Sequence, residues 1–280
     1  MFRRLRNSWE LVVASFAVLR SDKELVIFPA VSAMGVVIVT ISFVLPFLLA
    51  GAFDGVLAGG LTVLGFAVLF FFYLAQYFVI IFANAALVGA AMIRLKGGDP
   101  TVGDGFRVAF QHIGAIAGYA AISATVGVAL RLLTERAGGL GRIVISLVGL
   151  AWNIATFLVV PVLIVEGVGP IDGVKRSVSL LKRTWGEQIA GDVSISLIVG
   201  LLFLATVVVG AGLVFLAVTT GVLALIVAVV VLWALALLVL ALIGSAMNGI
   251  YTAAVYRYAV TGETGGFFQQ ELVEEAFRRR

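Results

Sequence analysis

The sequence predicts an all-α integral membrane bundle of six transmembrane helices with amphipathic interfacial helices. Three observations carry this. Apolar residues make up 62% of the 280-residue chain and charged residues 12%. The apolar residues come in blocks longer than the roughly eighteen that mark a membrane span. The basic residues fall between alternate blocks, the pattern of a chain crossing a bilayer repeatedly. Two segments, Gln188–Val218 and Gly221–Met247, hold one acidic residue, Asp192, and no basic one. A transmembrane barrel would need strict apolar–polar alternation, which is missing. In hydrocarbon each backbone group must be paired within its segment, so the spans are helices.

Residues 1–262 read as a single transmembrane domain and 263–280 as a cytoplasmic amphipathic tail. Met1–Asn7 is basic and precedes an apolar stretch, but Glu10 interrupts that stretch and a full span follows, so the segment reads as retained. Phe2, Leu5, Trp9, Val12, Phe16 and Leu19 lie at helical spacing and make a first amphipathic helix. Ser21-Asp22-Lys23-Glu24 has the form of a capping box opening the first span. The spans are expected at about 24–50, 61–93, 114–133, 143–165, 188–218 and 221–258. The second would run about 50 Å as one helix against about 30 Å of hydrocarbon, so it must tilt, break or project. The last is longer still, and Tyr251, Tyr256 and Tyr258 with Arg257 are expected to form its interfacial belt. Pro161 removes a hydrogen bond inside the fourth span and predicts a kink. Gly114, Ala117, Gly118, Ala121, Ala124 and Gly127 make the third span small-faced and suggest it is central. The Val- and Leu-rich fifth and sixth spans should face lipid or another subunit.

Two further amphipathic segments precede the third and fifth spans. One, after Asp99-Pro100, sets Val102, Phe106, Ala109 and Ile113 on one face. The other opens at Pro170, with Ile171, Val174, Val178, Leu181 and Trp185 on one face and Asp172, Lys175, Arg176, Ser179, Lys182 and Arg183 on the other. Such helices lie in the interface with lysine and arginine toward headgroups, or pack on the bundle. The order helix, span, span then recurs three times, over about 1–98, 99–169 and 170–262.

With the N-terminus inside, 16 of the 19 basic residues fall on inner segments and only Arg131, Arg136 and Arg142 outside. This places the protein in the plasma (inner) membrane, multi-pass, with both termini cytoplasmic. The net charge of +4 then points to anionic lipid as the partner, with no nucleic acid. The headgroup-binding candidates are Lys175, Arg176, Lys182, Arg183, Arg3, Arg4 and Arg6. A homo-oligomer stays open.

Few chemical classes survive. There is no cysteine and a single histidine, His112, so thiolate sites, multi-histidine zinc sites and thiol nucleophiles are excluded. No catalytic, metal or cofactor motif stands in the chain. Arg131 and Glu135 are spaced to pair. Asp192, one turn into the fifth span, reads as a carboxylate near a helix N-terminus paired with Lys182 or Arg183. Asn84, Asn153 and Asn248 with Asp192 would make a polar path if they converged.

The segment Val162-Leu163-Ile164-Val165-Glu166-Gly167-Val168-Gly169-Pro170-Ile171-Asp172-Gly173-Val174-Lys175-Arg176-Ser177 resembles poorly characterised prokaryotic membrane families similar to the membrane domain fused to some glycerophosphodiester phosphodiesterases. The resemblance implies a plasma-membrane helical bundle with a lipid-related role, and it carries no catalytic residue across. The expected function is a non-catalytic membrane protein that binds anionic lipid and organises itself or partners. The alternatives are a channel or transporter, and a lipid-modifying enzyme using Glu166, Asp172 or Asp192.

Overall fold

A computed structural model describes residues 13–49, 63–185 and 194–262, and every regular element among them is helical. Residues 13–21 belong to a first helix, α1. A 3-10 turn, Lys23–Val26, leads into α2 (Ile27–Leu49), and α3 (Val63–Leu95) returns. The short helix α4 (Val102–Gln111) precedes α5 (Ile113–Arg136), and α6 (Gly139–Ala155) continues after a break as α7 (Val159–Glu166). Helix α8 (Pro170–Trp185) precedes the antiparallel pair α9 (Ser194–Thr219) and α10 (Leu223–Thr261). The order short helix, span, span therefore recurs three times. Six stretches among the described residues are long and apolar enough to cross a membrane: Lys23–Pro46, Gly65–Leu95, Ile113–Arg136, Gly139–Glu166, Gly200–Thr219 and Leu223–Thr261.

The hub is α3, which packs on α2, α4, α5, α7 and α10. This corrects the expectation that the third span is central. The reason lies in Ala83, Ala85, Ala86, Ala90 and Ala91, all buried on the last third of α3. Without side-chain bulk, neighbouring backbones approach closely, which is what holds helices together in lipid. Gly105 of α4 sits on Phe28 and the Ala86 carbonyl, and Gly249 of α10 sits on Leu87; a Cβ at either would clash. In α5 only part of the small-residue stripe is used. Gly118 abuts Pro170 and Gly127 abuts Tyr77, while Gly114 meets open space.

The core is gathered at one end of the bundle. It comprises Val18 and Leu19 of α1, Leu25 and Phe28, the end of α3, all of α7 up to Ile164, and the stretch from Ala246 to Tyr256 of α10. Toward the other end the helices are exposed and apolar, as at Ile38, Leu48, Leu147, Leu204, Val208, Leu232 and Leu235. Helix α10 makes this plain. At 39 residues it is about 58 Å long. Its first half touches α9 and is otherwise exposed, as expected for lipid-facing spans; its second half is buried, which corrects that expectation there.

Left-handed glycines end three of the helices, and after two of them the chain enters α4 and α8, short helices that dock on the spans. Gly97, Gly167 and Gly262, at the ends of α3, α7 and α10, have positive φ (87°, 64° and 72°), a conformation glycine adopts without a Cβ penalty. Pro170 then occupies the first position of α8, where its missing N–H costs no helical bond.

The α9–α10 pair is locked at Gly210. The Trp233 ring lies directly on it, and the indole Nε1–H donates to the Thr206 carbonyl at 3.0 Å. Gly210→Val must displace that ring and should lower stability by roughly 1–3 kcal/mol. Gly212→Val, at a position facing open space, should cost much less. Thermal unfolding of both variants in nanodiscs checks this; equal losses would contradict it.

Candidate functional site at the basic end

The polar side chains that matter converge at the core end. Arg94, in the last turn of α3, is the first joint. Its Nε donates to Ser21 Oγ at 3.3 Å and its Nη2 to the Ser21 carbonyl at 3.2 Å. Its Nη1 donates to the Gly98 carbonyl at 3.2 Å and to Asp99 Oδ1 at 3.1 Å, and its Nε lies 3.7 Å from Asp22 Oδ2. One guanidinium thus ties the end of α1, the start of the first span and the α3–α4 loop together. Its fork of donors suits this task as a lysine would not. Arg257 of α10 donates to the Leu95 carbonyl beside it.

Glu166 is the second joint. Arg176 Nε donates to both its carboxylate oxygens at 3.0 Å, and the Tyr256 hydroxyl donates to Oε1 at 3.2 Å. This links α7, α8 and α10. Tyr256 is buried, so it is a member of the core and not of the expected interfacial belt. Tyr251 likewise turns inward, its ring centroid 6.3 Å from that of Phe157.

Ser177 is the third joint. Residues Thr156–Leu158 interrupt the fourth span. Pro161 explains the interruption, because a helix continuing through it would lack the N–H that pairs with the carbonyl of Phe157. The break lies four residues before the proline for that reason. Ser177 Oγ donates to the Ala155 carbonyl at 2.7 Å and accepts from the Leu158 N–H at 3.1 Å. Its side chain is wholly buried. One hydroxyl therefore satisfies two of the backbone groups at the break.

Helix α8 docks through Gly173, Ser177, Leu180 and Leu181, with Gly173 against Leu163. This ridge is rotated from the predicted face: Leu181 belongs to both, Val174 and Val178 are half-buried, and Ile171 is exposed. The same correction applies to α1, where Ala14, Ser15, Val18 and Leu19 are buried and Phe16 is exposed. In α4 the expected Ala109 is buried, Val102 and Phe106 are half-buried, and Ile113 is exposed at the start of α5. Phe106 stacks into Phe28 and Phe82, with ring centroids 5.2 and 6.1 Å apart.

The caps also differ from expectation. Ser21 forms no capping box. It lies in the last turn of α1, and its hydroxyl donates back to the Val18 carbonyl at 2.7 Å. Only Asp22 separates α1 from the 3-10 turn, which leaves no room for an extended cap at Ser21. A true capping box opens α4: Asp104 N–H donates to Thr101 Oγ1 at 3.2 Å, and Thr101 N–H to Asp104 Oδ2 at 3.1 Å. Hydrogen bonds from Thr101 and the nearby Arg107 hold the Asp104 carboxyl below its ordinary range. His112 joins α4 to α5, its Nδ1–H donating to the Val108 carbonyl at 2.9 Å.

The candidate residues divide as follows. Lys175 is exposed and pairs with Asp172 at 3.2 Å; Lys182 is exposed; Arg176 is held by Glu166. Arg183 lies on α8. Arg3, Arg4, Arg6 and Asp192 lie outside the described residues. Asn153 on α6 and Asn248 on α10 are exposed, and Asn84 on α3 is half-buried against Gly249. Helix α6 has no substantial contact with α3 or α10, so the three asparagines are not brought together. Arg131 pairs with Glu135 at 3.0 Å and donates to the Tyr73 hydroxyl at the opposite end. No group of three or more His, Cys, Asp or Glu among the described residues is placed to hold a metal ion.

The comparison with known families fits this arrangement. The chain belongs to the family of unknown function DUF6159. The family profile matches residues 63–267. That stretch of the DUF6159 chain holds α3 to α10, and with them Glu166, Arg176, Ser177 and Tyr256. Ser21 and Asp22, the partners of Arg94 on the first unit, precede it. The match makes no link to the phosphodiesterase-associated membrane domains. No curated protein matches the sequence.

Two predictions follow from these joints. Ser177→Ala leaves the Ala155 carbonyl and the Leu158 N–H without a partner and should cost about 1–3 kcal/mol in thermal unfolding; an unchanged midpoint would contradict the staple. Asp22 is buried, and that desolvation outweighs Arg94 and pushes its carboxyl up from 3.8, helped by Asp99 and Glu24. A raised folded pKa penalises the folded state above it, and the penalty fades as pH falls through it. Asp22→Asn should therefore be at least as stable as the parent at pH 7 and lose that advantage toward pH 3.8. An advantage that grows on acidification would contradict this.

Proposed function

We propose that this is a non-catalytic membrane protein that holds anionic lipid headgroups against its basic end and organises itself or partners in the membrane. The supporting observation is charge gathered where the docking helices sit. Arg20, Lys23, Lys96, Arg107, Lys175 and Lys182 are exposed on the helices and loops of the core end. Among the described residues, Arg131, Arg136 and Arg142 stand about the α5–α6 connection at the other. In this reading the basic end is cytoplasmic, in the plasma membrane, where anionic lipid attracts each nearby lysine or arginine by about 1 kcal/mol.

The state of the carboxylates supports a non-catalytic role. Glu166 is engaged by Arg176 and Tyr256, Asp99 by Arg94, and Asp172 by Lys175. Each has a structural partner that accounts for it.

The test is native mass spectrometry of protein released from nanodiscs containing anionic and zwitterionic lipid. The parent should retain anionic lipid in discrete stoichiometry. Lys175→Ala/Lys182→Ala should lower that occupancy about tenfold or more, since two cations contribute roughly 2 kcal/mol. Equal retention by the variant, or no preference between lipid classes, would count against the reading. The same spectra report whether the protein is a homo-oligomer.

A further inference from the structure

Residues 263–280, the expected tail, lie outside the described residues. Among the described spans one stands apart. Helix α6 packs chiefly on α5 and α8, and none of its residues is buried. It nevertheless carries Ser146 and Asn153 with Gly149 between them, and spacings of three and four set all three on one stripe. Ser146 and Asn153 are exposed on that stripe, and the exposed Ile143 and Leu150 flank it.

Depth makes these side chains unusual. Asn153 lies about 21 Å along α6 from its start at Gly139, and Ser146 about 10 Å. Both fall within the roughly 30 Å of hydrocarbon. Asn84 and Asn248 lie about 32 and 38 Å along α3 and α10 from the same end of the bundle, past that thickness. Near the depth of Asn153 the described residues hold one other amide, Gln76, about 20 Å along α3. It is bound across a helix interface, its Nε2 donating to Thr40 Oγ1 at 2.8 Å and to the Val36 carbonyl at 3.3 Å. Hydroxyls exposed on other spans turn back on their own helices. Ser42 donates to the Ile38 carbonyl, Thr125 to that of Ala121 and Thr206 to that of Leu202, each at 2.8 Å. Neither the Ser146 hydroxyl nor the Asn153 amide has a partner among the described residues, and lipid tails offer none.

We propose that this stripe of α6 is the interface between two copies of the chain, in which the Asn153 amides bond to each other. Symmetry selects the occupant. Two copies inserted the same way are related by a two-fold axis along the membrane normal, which keeps each residue at one depth in both. Asn153 then meets Asn153. An amide carries donors and an acceptor, so the pair can exchange two hydrogen bonds. Headgroups stay at the surface, beyond its reach. Gly149, one turn away, adds no bulk where the helices cross, and Ser146 repeats the polar contact a turn further along. Arg142, the one charged residue of α6, shares the stripe. It is exposed about 5 Å from the helix start, where its long side chain reaches water and repulsion between copies is screened. Of the neighbouring charges, Arg131 is paired with Glu135, and Arg136 is exposed. The proposal rests on the self-organising half of the proposed function and on none of its lipid binding.

The chain has no cysteine, so single cysteines report without background. Oxidation in native membranes should join two copies at Ser146→Cys at least about tenfold faster than at Val144→Cys, which is exposed at similar depth on the opposite side of α6. Equal rates overturn the interface. A product at a mass other than twice the chain gives the stripe to another protein and overturns it as well. Single-molecule photobleaching in liposomes at rising lipid-to-protein ratio then reads the dimer fraction. Asn153→Leu should raise the dissociation constant about tenfold, and Asn153→Gln, which keeps the amide, should recover most of that loss. An unchanged constant in Asn153→Leu overturns the amide pair. A monomer at every ratio overturns the proposal, while the anionic lipid retained per chain still decides the lipid-binding reading. A dimer that retains no anionic lipid fails that reading alone.

Discussion

Close approach of small residues at one end of the bundle is the constraint on which the rest depends. Between helices in lipid there is no hydrophobic drive to associate, because a lipid tail is as apolar as a leucine. Contact must come from backbones that can draw together and from polar groups that bond across the gap. The alanines of α3 from Ala83 to Ala91, with Gly105, Gly173 and Gly249, provide the first. Arg94, Glu166 and Ser177 provide the second. Away from that end the spans carry bulky Val, Leu and Ile, and their sides are exposed.

The docking helices matter because they occupy the same end. Helices α4 and α8 are short and have opposed polar and apolar sides. They pack with their smallest residues inward, which brings their backbones onto the spans and leaves cations outward. Core, polar joints and exposed lysines are thus consequences of one arrangement. Loosening a joint such as Glu166–Arg176 would move the helix that presents Lys175 and Lys182, so packing and surface charge are coupled through α8. The α9–α10 pair, held by Trp233 on Gly210, stands apart from this coupling along its outer half.

The sequence made the class of fold legible because hydropathy and charge are one-dimensional signals. Spans, the Pro170 helix start and the Arg131–Glu135 pair depend on residue type and short spacing. Helix faces were harder to read. Ser177 and Gly173 are small or polar, so an apolar-face criterion does not select them, whereas close approach needs them inward. The alanines of the second span are interrupted by Leu87 and Val88, so they form no unbroken small-residue stripe like that of the third span, and are still buried. Thr101-x-x-Asp104 fitted a capping box as well as Ser21-x-x-Glu24 did. Only the chain path, extended at Thr101 and helical at Ser21, separates them. Glu166, Arg176 and Tyr256 lie on three helices, and a contact across 90 residues leaves no local mark.

The account stands on the docking-helix end facing the cytoplasm, and its sidedness is directly measurable. Single cysteines at Lys175 and at Arg142 can be labelled with a membrane-impermeant maleimide in sealed vesicles of known orientation, before and after permeabilisation. The account predicts that Arg142→Cys is labelled from the outside at once and that Lys175→Cys is labelled only after permeabilisation. The reverse order would put the basic end outside and contradict it.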